Sequence, residues 1–136
     1  MWLLITMIEE SSSPDGLSDI YHALRATRRR YVIQWFAAHN EETASVRELA
    51  KWIAATENDL ESDHATGEDY RNVYNALSQS HLPTLSDAGL VIYDSDRQSV
   101  APGPDFQAGV LLVILNRVAY YTIKTEELFD GSVPSF

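Results

Sequence analysis

Five residues, Arg71, Asn72, Asn75, Ser78 and Gln79, are spaced so that a helix gathers them on one side. Their chemistry suits base reading: a guanidinium pairs with the two acceptors of guanine, a carboxamide with the donor and acceptor of adenine, and a hydroxyl with several base edges. No carboxylate interrupts that side, which is what a groove face needs; a merely solvated face is the competing reading. The stretch that carries them, residues 66–91, has a second face. Val73 and Leu77 lie four apart, and Leu85 and Ala88 continue an apolar stripe at the 3.6-residue period of a helix packed on a core. Pro83 lacks an amide hydrogen and its ring crowds the carbonyl four residues back, which predicts a kink or break near His81 and Leu82. Gly89 offers a left-handed stop.

Other elements must hold this helix in place. Residues 17–25 put Leu17, Ile20, Tyr21 and Leu24 on one face of a short amphipathic helix. Thr27 reads as the N-cap of a second helix reaching His39. Arg28, Arg29 and Arg30 then sit in its first turn, where the helix dipole disfavours cations. Three such charges invite contact with phosphate or with partner carboxylates; solvated guanidinia on buried stems are the alternative. Residues 40–44 form a polar turn with room for a minimal strand. Ser45 with Glu48 makes a capping box that starts a third helix, on which Arg47 and Lys51 share the outer face. The first helix of a helix-turn-helix crosses the DNA backbone, so these two are candidate phosphate contacts, with Arg28 and Arg29. Residues 90–93, 94–96 and 97–101 read as strand, turn and strand, a wing with Arg97 and Gln98 near its tip.

Composition narrows the choice. A chain of 136 residues, 45% hydrophobic, suits one domain with a modest core and terminal extensions. It has no cysteine, which excludes disulfides and thiolate metal sites. The net charge of -10 opposes the basic footprint that nucleic acid normally requires. Residues 17–101 hold eight Lys and Arg against thirteen Asp and Glu, so half of the excess lies in the tails. An acidic surface with two lysines also suits concentrated salt, where at about 1 M the screening length shrinks to about 3 Å. Repulsion from DNA then weakens along with phosphate attraction, and short-range base contacts carry more of the binding.

Residues 1–8, MWLLITMI, are too short to span a bilayer and lack the basic flank of a secretory signal. They read as a tail that packs on the domain or a partner, or as an extension upstream of a start at Met7. Residues 9–16 read as a linker. The acidic connection 57–67, with Glu57, Asp59, Glu61 and Asp63, lacks the glycine and spacing of a calcium loop, so neither a metal nor another cofactor is expected. The four histidines are scattered and no phosphate-cradling glycine loop is present, so no enzymatic activity is expected. Residues 106–129 form an apolar helix interrupted by Asn116 and Arg117, which disfavours a membrane span. Leu111, Ile114, Leu115, Val118 and Tyr121 are the expected contacts of a two-fold dimer.

Two motifs carry a family resemblance. Ala23-Leu24 followed by Thr27-Arg28-Arg29-Arg30-Tyr31-Val32-Ile33, and His81-Leu82-Pro83-Thr84-Leu85-Ser86-Asp87-Ala88-Gly89-Leu90-Val91, look like the A-L-x-x-x-T-R-R-x-I-L and H-L-x-x-L-x-x-A-G-L-V patterns of ArsR-like winged helix-turn-helix regulators. The chain resembles most closely a group of small haloarchaeal winged-helix proteins. The resemblance covers residues 17–101 and implies a cytoplasmic transcription regulator that binds double-stranded operator DNA as a homodimer, with helix contacts at Asn75, Ser78, Gln79 and Ser80. The cysteine-rich metal ligands of the founding regulators have no counterpart here. The expected architecture is mainly α with a small β-hairpin wing: a tail and linker over 1–16, a winged helix-turn-helix over 17–101, and a C-terminal dimerisation helix within 102–136. A winged helix that engages only a protein partner is the second expectation, since fold does not fix function.

Overall fold

The computed structural model describes residues 14–59 and 67–132. The 1–8 segment and most of the acidic connection, including Glu61 and Asp63, lie outside the described residues. Four elements precede the acidic connection: α1 (Pro14–Ala23), α2 (Thr27–His39), β1 (Ala44–Ser45) and α3 (Val46–Glu57). Beyond it come α4 (Gly67–Ala76), a π-helical segment (Leu77–His81) and α5 (Leu82–Asp87), then β2 (Val91–Asp94), β3 (Ser99–Pro102) and α6 (Phe106–Ser132). The architecture is mainly α with a small antiparallel sheet, a winged-helix arrangement. In that sheet β3 lies between β1 and β2, with Ala44 opposite Val100 and Asp94 opposite Ser99.

The core follows the apolar periodicities. Val32, Ile33 and Phe36 of α2 meet Val46, Leu49 and Ile53 of α3, and Val73, Leu77, Leu82 and Leu85 close the cluster from the other side, with Leu90, Val91 and Val100 beneath the wing. The capping box at α3 is complete: Glu48 N donates to Ser45 Oγ at 3.0 Å, and Ser45 N to Glu48 Oε2 at 3.4 Å. Gly89 holds φ at 78° and ends the helical stretch before β2.

Three local readings are corrected. α1 begins at Pro14, inside the expected linker, because proline's fixed φ and missing amide hydrogen are tolerated in a first turn. Thr27 is already helical, and Ala26 occupies the N-cap in an extended conformation (φ -85°, ψ 133°) with no side-chain cap. Pro83 does not break the helix. The distortion is a widened turn just before it, in which Leu82 N donates to Leu77 O five residues back, and the helical path continues on either side. A π-turn accommodates the missing donor without unwinding the rod.

α6 packs its first turns on the domain through Phe106, Val110 and Val113. Beyond these, Leu111, Ile114, Leu115, Val118, Tyr120, Tyr121 and Ile123 are exposed. Residues 106–127 are long and apolar enough to cross a bilayer by length and composition, and 17% of the most apolar window is buried.

Candidate nucleic-acid interface

The apolar stripe sets the orientation of the 67–87 helical stretch. Val73, Leu77, Leu82 and Leu85 are all at most 1% exposed, so the side of the stretch opposite them faces outward. Arg71, Asn72, Asn75 and Gln79 are exposed, as is Ser80. None of these five side chains makes a hydrogen bond or ion pair among the described residues, although Arg71 lies close over Gly67. No carboxylate occurs from Tyr70 to Ser86. Ser78 is different. It is half-buried, and its hydroxyl donates to Gln98 Oε1 at 3.1 Å.

Gln98 joins the wing to this stretch. Its Oε1 also accepts from Tyr74 Oη at 2.9 Å, and its Nε2 donates to Tyr93 Oη at 3.0 Å and to Ser95 O at 2.7 Å. Its own carbonyl accepts from Val46 N, the first amide of α3, at 3.0 Å. One side chain thus couples the wing to the rod it flanks, and its side-chain amide is committed inward. Sequence reading placed Gln98 at the wing tip and missed the lock. No local pattern could have found it: the half-burial of Tyr74 and Tyr93, whose hydroxyls then need partners, appears only once the wing has packed on the rod.

The arginine triplet has internal partners. Arg28 pairs with Glu57 at the end of α3 through Nε to Oε1 and Nη2 to Oε2, at 2.5 and 3.0 Å, and that hydrogen bonding raises its pKa above the ordinary value against a smaller opposing effect of burial. Arg29 donates to Ala23 O at 3.3 Å and, through Nε, to His81 Nδ1 at 3.1 Å. Arg30 donates to Leu24 O and Arg25 O, each at 2.8 Å. Cations in the first turn of α2 are tolerated because they answer the free carbonyls after α1 and a carboxylate of α3. His81 accepts from an arginine and is therefore neutral on Nδ1. Burial first, then the Arg29 and Arg28 charges, hold its pKa below the ordinary 6.5.

Arg47 and Lys51 are exposed on α3, and Arg97 is exposed at the wing tip. Arg97 stands 3.8 Å from Asp94, with Asp96 exposed beside it. Two acids therefore accompany the one cation at the tip, and on the rod exposed Glu68 of the first turn lies on the same side as Arg71, Asn72 and Asn75, with no acid from Tyr70 to Ser86.

No curated protein and no solved structure matches the chain. A family model described as a domain of unknown function, DUF7344, matches residues 21–101, which run from the end of α1 through β3 and leave α6 outside, and the chain belongs to that family.

Proposed function

We propose that the protein is a cytoplasmic, sequence-specific DNA-binding transcription regulator of the ArsR-like winged-helix kind, acting as a homodimer. One observation carries this reading. Arg71, Asn72, Asn75 and Gln79 stand exposed along one face of a helix whose opposite face is buried, with exposed Glu68 one turn before them and no acid from Tyr70 to Ser86, and none of the four side chains has an internal partner among the described residues. Side chains of these types at a helix surface are equipped to read base edges in a major groove. Arg47, Lys51 and Arg97 supply phosphate contacts from α3 and the wing. Arg28 and Arg29, tied to Glu57, Ala23 O and His81, act by holding the helices in place.

The test is a titration of labelled duplexes, one enriched from a random pool by the protein itself and one of scrambled sequence. Asn75→Ala and Gln79→Ala should reduce the preference between them, each by about 1–3 kcal/mol. Arg47→Ala should weaken binding to both alike. Equal losses on the two duplexes for all three variants contradict the base-reading role. The acids at the wing tip, Asp94 and Asp96, favour the second reading, a module that docks a basic protein surface. Failure to enrich any duplex, together with a basic protein that co-purifies only when both aspartates are intact, decides for it.

A further inference from the structure

α6 leaves the domain with an apolar strip that nothing among the described residues covers. Leu111, Ile114, Val118, Tyr121 and Thr125 follow one another at spacings of three, four, three and four, the repeat of a coiled-coil seam. The four apolar members are between 51% and 60% exposed. A groove of about 670 Å³ runs along the same strip, lined by Ile114, Val118, Tyr121 and Thr125 among others. Thr125 suits a seam despite its hydroxyl, which donates to Tyr121 O at 2.8 Å and so brings no unpaired donor.

We infer that this strip pairs with the same strip of a second copy, and that the two α6 helices run parallel and in register. With Leu111, Val118 and Thr125 at the a positions and Ile114 and Tyr121 at d, Arg117 and Lys124 both fall at g. In an antiparallel pair g faces g, so Arg117 of each copy meets Lys124 of the other. In a parallel pair g faces e, and the e positions here are the uncharged Leu115 and Thr122. Like charges in apposition disfavour the first arrangement. Leu115, 51% exposed, adds to the strip beside Ile114 and Val118. The adjoining groove of about 620 Å³ between Tyr31, Trp52 and Ile114 extends the contact surface. A parallel pair sets both winged domains at the same end of the dimer.

The inference rests on the homodimer of the proposed regulator and not on its contact with DNA. The chain has no cysteine, so single cysteines in the full-length protein report cleanly. Leu111→Cys and Thr125→Cys, each alone in a glutathione redox buffer, should both form disulfide dimers, at least fivefold more than Ala119→Cys on another side of the helix. The two positions are about 21 Å apart along the axis, so no antiparallel pairing brings both next to their own counterparts. Crosswise coupling of a Leu111→Cys and Thr125→Cys mixture, with loss of self-coupling at either site, overturns the parallel orientation. A monomer in sedimentation equilibrium, or a monomer that floats with phosphatidylcholine vesicles, overturns the pairing itself. Self-coupling without DNA binding leaves the inference standing and removes the regulator reading; DNA binding without self-coupling does the reverse.

Discussion

Removing the Gln98 side chain should loosen the wing from the helical rod, and the size of the effect can be worked out. Four hydrogen bonds converge on its amide, from Tyr74 and Ser78 and to Tyr93 and Ser95 O. Water reaches a half-buried group, so each is counted at the low end, about 0.5 kcal/mol, for a total of about 2 kcal/mol. Gln98 also holds φ at 51°, in the left-handed region. Alanine inherits that strain, whereas glycine relieves about 1 kcal/mol of it. Gln98→Ala should therefore destabilise by about 2 kcal/mol and Gln98→Gly by about 1 kcal/mol, an inversion of the usual ranking in which glycine is the worse replacement. Urea unfolding followed by tryptophan fluorescence measures both. For a domain of this size the alanine variant should also lose on the order of 10 °C in Tm. A neutral Gln98→Ala, or a Gln98→Gly that is the less stable of the two, refutes the lock as described.

Three further outcomes follow from the same geometry. Ser45→Ala removes the acceptor of Glu48 N and should cost about 1 kcal/mol in urea unfolding, as loss of an N-cap does. Gly89→Ala places a Cβ 2.5 Å from Asp105 Oδ2 at a φ of 78° and should cost more than about 1 kcal/mol; Gly89→Ala with Asp105→Ala should recover part of the loss in thermal melts. His81 has a folded pKa below its unfolded 6.5, so the unfolded chain binds more protons between those values. Its contribution is complete above pH 6.5 and is lost as the pH falls through the folded pKa. His81→Gln can still accept from Arg29 but does not titrate, so its Tm should fall less steeply than the parent's between about pH 7 and pH 5.5. Equal slopes would show that other groups dominate acid unfolding.

What the sequence disclosed was what local pattern determines. Val73, Leu77 and Leu85 repeat at helical spacing, and burial follows the repeat; Ser45 and Glu48 sit three apart, and both bonds of the box form; Gly89 falls where a positive φ is needed. The misses depend on partners distant in sequence. Arg29 reaches a histidine fifty-two residues away and Arg28 a glutamate twenty-nine away. The dipole argument recognised the arginine triplet as unusual but had no means of finding Ala23 O, Leu24 O or Glu57. Spacing alone places Ser78 on the groove face, and only the approach of the wing reveals its bond to Gln98. Pro83 marks the place of a disturbance in the sequence, but whether a helix responds by breaking or by widening depends on packing around it. Leu77 and Leu82, both buried, hold the backbone helical on each side.

These long-range contacts bear on the function of the helical rod. Gln98 fixes it from the wing, while Arg29 reaches its π-helical segment at His81 from α2, and Arg29 is itself tied back to Ala23 O at the end of α1. Polar contacts from two separate elements thus add to the burial of Val73, Leu77, Leu82 and Leu85. Were the outward side chains of Arg71, Asn72, Asn75 and Gln79 only a solvated surface, nothing would require the helix to be clamped in rotation as well as in depth. The proposed base reading would require it, because side chains must arrive at hydrogen-bonding geometry without first ordering the backbone that carries them. On the proposed reading the charge follows the same logic: for an acidic chain in concentrated salt, general attraction to phosphate would be weak, so affinity for DNA would have to come from short contacts, and short contacts demand a rigid platform.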